Sequence, residues 1–297
     1  MAMLDAMGPE GLAALLPPGP DPSTFLTDPA LAAVETRDVA IPGPHGDVTA
    51  RIYRGRPRDR GTALLWAHGG GFVGGDLDMP EAHWVSLAIA ARGLAVLSID
   101  YRKCVGGVHY PVPSDDVLAA WRWATAHPGE LDTSPEHLHL GGASAGASLT
   151  AGVVKRLRDN SETLPASLVL VYPTLHAELP GLRNAPAAAT ETLEEGMPVE
   201  FFRWMNLNYV GTEDHLGDPY AFPGVGDVGG QPAVFILNSD RDPLRESGEA
   251  YAVALEAAGV PVEVEFEPGS RHGHLNEPLL AEAQRSVERI VAWLELH

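Results

Sequence analysis

The chain of 297 residues contains a single cysteine, Cys104. One thiol excludes an internal disulfide and any cysteine-rich metal site, and it is compatible with a reducing compartment. Basic residues are also scarce, because 20 Lys and Arg stand against 40 Asp and Glu and give a formal net charge of −20. A protein of this charge is repelled by nucleic acid and by anionic membrane surfaces, so neither is expected as a partner.

Long apolar runs are missing as well. No run approaches the roughly 18 residues that a membrane-spanning helix needs. The N-terminal segment, residues 1–16, carries Asp5 and Glu10 and lacks the basic residues that begin a signal peptide. We therefore expect a cytoplasmic protein. The histidines and acids form no HExxH pattern or similar cluster, so no metal ion is expected.

Strand and helix patterns alternate along most of the chain. Eight short apolar or alternating segments predict strands, and they are residues 35–41, 48–53, 62–67, 94–99, 138–140, 168–171, 233–237 and 262–266. Helical patterns separate the later strands. This alternation is typical of an α/β protein with a mostly parallel sheet of eight strands and helices on both faces.

A small-residue turn follows the fifth predicted strand and begins a helix. It reads Gly142-Ala143-Ser144-Ala145-Gly146, which fits the nucleophile elbow G-x-S-x-G. The sharp turn forces the serine into a strained backbone conformation, and glycines two residues away avoid a collision with it. Small residues also make ordinary turns, but the strand before and the helix after favour Ser144 as a nucleophile.

Three consecutive glycines end the third predicted strand, in His68-Gly69-Gly70-Gly71-Phe72. Glycines cost conformational entropy on folding, so a run of three needs a reason. One reason is the close approach of bare backbone N–H groups to a developing oxyanion, as in the HGGG loop of lipases and esterases. A phosphate-binding loop is the alternative, but the Lys and Ser/Thr of that pattern do not follow.

A serine nucleophile needs a base, and in this fold the order is serine, acid, histidine. His272 lies in a loop after the last predicted strand, which favours it as the base over His274. Asp242 follows the preceding strand, and Pro243 then starts a helix that leaves the carboxylate in the loop. Asp240 is the alternative acid, with turn formation as its other role.

Four motifs in this order resemble the hormone-sensitive-lipase-like group of bacterial esterases. They are His68-Gly69-Gly70-Gly71, Gly142-Ala143-Ser144-Ala145-Gly146, Asp242-Pro243-Leu244-Arg245 and His272-Gly273. The similarity runs from about residue 45 to the C-terminus. It implies an α/β-hydrolase fold with an oxyanion hole made by the N–H groups of Gly70, Gly71 and Ala145. It also implies hydrolysis of short- to medium-chain acyl esters without a cofactor.

The resemblance further implies a helical cap over the sheet. Residues 1–45 would form the N-terminal cap helices and a linker, and residues 176–220 a cap insertion whose helix is Val199–Tyr209. The hydrolase core would then comprise residues 46–175 and 221–297. An insertion at the C-terminal end of a strand lies over the ligand crevice of such a sheet.

Four side chains are candidates for contact with substrate, namely Phe72, Phe201, Trp204 and His274. The spacing of Phe201 and Trp204 equally describes a helix stripe that packs on the core, and this interpretation is favoured. His274 stands where the group commonly has Phe. A second departure follows Asp100-Tyr101-Arg102, where Lys103 replaces a usual Leu.

The expected activity is that of a serine carboxylesterase with a Ser144–His272–Asp242 triad. The same triad also serves amidases, lactonases and carbonate hydrolases. A non-catalytic ligand-binding receptor of hydrolase fold is a further alternative, against which the presence of His272 argues. The expected partner is a small-molecule ester, and a homodimer through a sheet edge is a further expectation.

Overall fold

The computed structural model describes residues 11, 25, 27–56, 61–181 and 199–297, with the backbone alone for 199–201. Its strands are β1 (Glu35–Ile41), β2 (Val48–Arg54), β3 (Ala63–Ala67), β4 (Ala95–Asp100), β5 (Leu138–Ala143), β6 (Ser167–Val171), β7 (Ala233–Arg241) and β8 (Val262–Arg271). Its helices are α1 (Pro29–Ala32), α2 (Pro80–Ala90), α3 (Val112–Ala126), α4 (Ala145–Asp159), α5 (Val199–Val210), α6 (Arg245–Ala257) and α7 (Ala281–Leu296).

All eight strands join one sheet in the order β1-β2-β4-β3-β5-β6-β7-β8. The pairs β1–β2 and β2–β4 are antiparallel, and the other five pairs are parallel. All five residues of β3 are buried, because a central parallel strand is covered on both faces. The predicted eight-stranded, mostly parallel sheet is therefore confirmed.

Helices cover both faces of the sheet, as the sequence predicts. One core cluster contains Trp121 of α3 and Leu149 of α4. A separate cluster on the opposite face contains Trp84 of α2 and Trp293 of α7. Each face of the sheet is thus covered by its own apolar layer, and the sheet lies between the two layers. Among the described residues, no helix is long and apolar enough to cross a membrane.

The position of β1 corrects one predicted boundary. This strand pairs with β2 from Glu35 to Ile41, so the core sheet begins inside the segment 1–45 that the sequence assigns to the cap and linker. Most of residues 1–34 lie outside the described residues. The described parts of the predicted insertion 176–220 contain α5 and no strand, and the assignment of this segment to a cap stays a prediction.

Candidate active site

Ser144 occupies the sharp turn between β5 and α4. Its backbone has φ +51° and ψ −119°, a conformation that non-glycine residues rarely adopt. A Cβ at Gly142 would lie 2.6 Å from the carbonyl oxygen of Ala67, and a Cβ at Gly146 would collide with the same oxygen. The turn therefore packs directly on the end of β3. Only glycine fits at the positions two residues before and two residues after the serine.

Three side chains from distant parts of the chain form one hydrogen-bonded line. His272 Nε2 lies 2.9 Å from Ser144 Oγ, and His272 Nδ1 lies 2.6 Å from Asp242 Oδ2. A carboxylate only accepts, so Nδ1 carries the proton and Nε2 is left to accept from the serine hydroxyl. The structure thus brings together the three residues that the sequence selects for the triad.

The buried environment of His272 adjusts its basicity. Burial acts to lower the pKa of His272, while the charge and hydrogen bond of Asp242 act to raise it, and the net pKa is raised above 6.5. Asp242 itself is 1% exposed, and its Oδ1 accepts from the backbone N–H of Leu244 at 2.9 Å. The carboxylate is therefore fixed in place and stabilises a positive charge on the imidazole.

The glycine loop lies beside the serine, because a Cβ at Gly69 would be 3.2 Å from Ser144 Cβ. Gly70 and Gly71 have φ +111° and +60°, and the Gly70 carbonyl accepts from Val73 N and Gly74 N at 3.1 and 2.9 Å. Among the hydrogen bonds of the described residues, none is donated by the backbone N–H of Gly70, Gly71 or Ala145. Ala145 begins α4, where the helix dipole favours an anion. These N–H groups can hold an oxyanion.

A buried carboxylate connects the parts of this site, and the sequence did not reveal it. Glu81 of α2 is 1% exposed and accepts hydrogen bonds from the Gly69 backbone N–H, from Tyr172 Oη at 2.5 Å and from Asn276 Nδ2 at 3.4 Å. The Tyr172 ring meets the His272 ring edge-on with centroids 5.0 Å apart. Glu81 thus braces both the glycine loop and the ring beside the base. A glutamate in the first turn of a helix ordinarily faces solvent, so no sequence signal distinguished it.

Neither alternative acid nor alternative base reaches the serine. Asp240 accepts from Gly269 N at 3.1 Å and from Arg245 Nη1 at 3.2 Å, a structural role. His274 is 4% exposed, with Nδ1 3.0 Å from Ser239 Oγ and Nε2 2.7 Å from Ser286 Oγ. Burial lowers the pKa of His274 to about 4. Because both ring nitrogens are engaged inside the protein, the expectation that His274 contacts substrate is corrected.

Two further predicted substrate contacts are corrected for similar reasons. Phe72 is fully buried and stacks on Tyr209 of α5, with centroids 4.0 Å apart and planes 6° from parallel. Trp204 is 8% exposed and belongs to the core cluster with Met205. The helix-stripe interpretation therefore describes α5 better than an open acyl pocket. The side chain of Phe201 lies outside the described residues.

The described His, Cys, Asp and Glu side chains do not cluster as metal ligands. Within the described ranges, no group of three or more His, Cys, Asp or Glu side chains is arranged to hold a metal ion. Cys104 is buried, and burial raises the pKa of its thiol to about 12, so the thiolate needed for nucleophilic chemistry is disfavoured. The side chains suited to nucleophilic catalysis are therefore Ser144 and its partners His272 and Asp242.

Comparison with known proteins agrees with this geometry. A family model described as the alpha/beta hydrolase fold matches residues 64–276. The chain belongs to this family. It is 33% identical to carboxylesterase NlhH of Mycobacterium tuberculosis over 253 residues, which cover 84% of this chain and 78% of that protein. It is 31% identical to an ethyl acetate hydrolase of Pseudomonas putida over 254 residues, covering 83% of this chain and 78% of that protein.

A solved structure extends the similarity of this α/β-hydrolase to the whole fold. The hyperthermophilic esterase of the archaeon Pyrobaculum calidifontis superimposes with a TM-score of 0.83 at 27% identity, covering 99% of this chain and 95% of that one. Together with the family match, it confirms the resemblance to hormone-sensitive-lipase-like esterases. This α/β-hydrolase is therefore of the esterase type.

Proposed function

We propose that Ser144, His272 and Asp242 hydrolyse small-molecule carboxylic esters through an acyl-serine intermediate, which makes the chain a serine carboxylesterase. The observation that carries the proposal is the line of two hydrogen bonds, 2.9 and 2.6 Å, from Ser144 through His272 to Asp242. The names of the relatives, a carboxylesterase and an ethyl acetate hydrolase, support esters as the substrate class.

Acylation begins when Ser144 Oγ attacks the ester carbonyl and His272 Nε2 takes the hydroxyl proton. Asp242 stabilises the imidazolium that forms. The carbonyl oxygen becomes an oxyanion and accepts hydrogen bonds from the N–H groups of Gly70, Gly71 and Ala145. The tetrahedral intermediate then collapses as His272 returns the proton to the departing alcohol.

Deacylation repeats these steps with water as the nucleophile. His272 takes a proton from water, the hydroxyl attacks the acyl carbon, and the second tetrahedral intermediate again uses the oxyanion hole. Collapse releases the carboxylic acid and returns the proton to Ser144 Oγ. Both halves of the reaction use the same residues of the chain, and water is the only added reactant.

One cavity borders the acid of the triad. It has a volume of about 230 Å³ and is lined in part by Thr174, Phe202 and Leu244. The backbone N–H of Leu244 donates to Asp242 Oδ1, which connects this cavity with the acid. The name of one relative, an ethyl acetate hydrolase, supports a preference for short acyl esters. An acyl series from acetate to dodecanoate measures it, with kcat/KM expected to fall towards the long chains.

Replacement of Ser144 by Ala tests the proposed function. Hydrolysis of p-nitrophenyl acetate should fall to the background rate, because among the described residues only the Ser144 hydroxyl is hydrogen-bonded to His272. Ser148→Ala is the matched control, since Ser148 is a buried serine one turn along α4 whose hydroxyl donates to the Thr174 carbonyl. Parental turnover by the Ser144→Ala variant would refute the assignment.

Amide, lactone and carbonate hydrolysis use the same steps, and matched ester and amide substrates compared for kcat/KM test the preference for esters. A purely ligand-binding role is disfavoured because His272 is present and its Nε2 lies 2.9 Å from Ser144 Oγ.

The absence of nucleic-acid partners, a cytoplasmic location and the formation of a homodimer stay predictions. The outermost strands of the sheet, β1 and β8, are the edges through which two copies would pair. Light scattering of the purified protein measures the dimer.

A further inference from the structure

Lys103, one of only two lysines in the chain, lies beneath the glycine loop. Its side chain is 15% exposed, and its ammonium donates to Asp100 Oδ1 at 2.7 Å and to the Tyr101 carbonyl at 2.5 Å. The same nitrogen lies 3.2 Å from Nε2 of His68, the residue that begins the glycine loop. The ammonium thus touches the imidazole on which the loop rests.

The contacts of His68 fix its tautomer. Its Nδ1 lies 2.6 Å from the carbonyl oxygen of Gly69, which only accepts, so Nδ1 carries the proton. The other ring nitrogen, Nε2, is then a lone-pair acceptor for the Lys103 ammonium. Burial lowers the pKa of His68, and the neighbouring Lys103 charge lowers it further, both of which keep the ring neutral. The hydrogen bonds therefore run in one direction, from Lys103 through His68 to the Gly69 carbonyl.

The end of this chain of hydrogen bonds belongs to the oxyanion hole. The carbonyl of Gly69 and the N–H of Gly70 are two ends of one peptide group. The single hydrogen of the Tyr101 hydroxyl lies between two carbonyl oxygens, at 2.8 Å from Oη for His68 and 3.2 Å for Gly69. The main hydrogen bond that the Gly69 carbonyl accepts therefore comes from the His68 ring. Hydrogen bonds accepted by a peptide carbonyl polarise the group and strengthen its N–H as a donor, by roughly 10–30% per bond. The Gly70 N–H would therefore become a better donor to the oxyanion.

We propose that Lys103 is a positioning residue of the oxyanion hole, which acts through His68 to hold and polarise the Gly69–Gly70 peptide. The inference rests on the proposed function, because it assigns Gly70 N–H to the oxyanion. Asp100, 2.7 Å from the ammonium, balances its charge, so Lys103 acts through the hydrogen bonds and not as a free cation in the site.

Replacement of Lys103 by Met tests this role. Loss of a whole oxyanion donor typically lowers kcat about 10²–10³-fold, so weakening one donor by a fraction should lower kcat roughly three- to tenfold. KM should change little, since the ground-state ester uses the hole weakly. Affinity for a trifluoromethyl ketone, which forms a tetrahedral oxyanion on the serine, should fall by the same factor as kcat.

Lys155→Met is the matched control. Lys155 is the other lysine, with a 7% exposed side chain whose ammonium lies 3.0 Å from Asp159 Oδ2 and 5.2 Å from the Tyr220 ring centroid. Lys103 has the same kinds of partner, with the Tyr101 ring centroid at 4.4 Å. Both variants lose an ion pair between a largely buried lysine and a more exposed aspartate, but only the pair of Lys103 contacts the glycine loop. The control should keep the parental kcat and ketone affinity.

The two variants separate the outcomes. Parental kcat in Lys103→Met, or equal losses of kcat in both lysine variants, would overturn the inference while leaving the esterase proposal intact. Absence of ester turnover in the parent would overturn both. If Lys103→Met does not fold, the double variant Lys103→Met/Asp100→Asn leaves no unpaired charge and should show the same three- to tenfold loss.

Discussion

The two oxygens of the Asp242 carboxylate accept hydrogen bonds from two different donors. Oδ2 accepts from His272, while Oδ1 accepts from the backbone N–H of Leu244, which begins the turn into α6. A side chain held at both oxygens cannot rotate away from the base. Asp242 therefore fixes both the tautomer and the orientation of the His272 imidazole, as the proposed mechanism requires.

Replacement of Asp242 by Asn should lower kcat by about 10⁴-fold, because the amide favours the wrong histidine tautomer. The pH profile should move as well. The active form has an unprotonated His272, so kcat/KM rises with pH through the pKa of His272, which lies above 6.5 in the parent. Without the Asp242 charge, burial acts on the imidazole with less opposition, and the acid limb should shift to lower pH. A limb that stays in place would contradict the pairing.

Single residues also show what the sequence could not reveal. Ser144 and His272 could be selected as candidates from the sequence because strand, turn and loop signals limit where such groups can lie. Glu81 was missed because its importance comes from the long-range contacts with Tyr172 and Asn276, which no local pattern encodes. His274 was proposed as a substrate contact because it lies two residues after the base in the sequence. Its ring instead hydrogen-bonds to two buried serines, and nearness in sequence does not report that direction.

The helix α5 of the predicted cap packs directly against the glycine loop. Phe72 stacks on Tyr209, whose carbonyl accepts from Tyr110 N at 2.7 Å. A Cβ on Gly71 would lie 2.5 Å from Met205 Sδ, so the methionine covers the loop at van der Waals distance from a bare glycine. The cap thus contributes to the placement of the oxyanion donors.

Replacement of Gly71 by Ala should disturb this contact. The new methyl meets Met205, and φ +60° costs a non-glycine residue about 1–3 kcal/mol of stability. We expect a lower melting temperature and a kcat reduced by roughly 10²-fold through displacement of one donor. The double variant Gly71→Ala/Met205→Ala should regain part of the lost kcat.

The control for this change is Gly129→Ala, where a Cβ meets nothing within 4 Å. It should leave both stability and kcat close to the parent. Full activity in Gly71→Ala would mean that neither the N–H of this residue nor the Met205 contact matters for turnover.

At the level of elements, the strands were the most predictable part. β1 was predicted at residues 35–41, its observed bounds, because its turn and alternation are local signals. β7 and β8 extend to Arg241 and Arg271, four and five residues beyond their apolar runs. Their polar ends are held by pairing with each other, which hydrophobic pattern alone does not report. Asp242 and His272 directly follow these extensions.

The whole molecule explains why distant residues meet. In a parallel sheet the carboxyl ends of neighbouring strands share one edge, and ligands bind there. β3 ends in the glycine loop, β5 in Ser144, β7 in Asp242 and β8 in His272, and these strands lie in the continuous order β3-β5-β6-β7-β8. The topology therefore brings the proposed nucleophile, base, acid and oxyanion donors to one edge of the sheet, although they are far apart along the chain.

Covalent labelling measures this convergence most directly. An organophosphate ester should phosphorylate the protein once, and peptide mass spectrometry should place the label on Ser144, because in the described part of the chain this hydroxyl alone is hydrogen-bonded to His272. The Ser144→Ala and His272→Ala variants should remain unlabelled, and labelling should run in parallel with loss of esterase activity. A label on another residue, or full inactivation of the protein without any label on Ser144, would contradict the account.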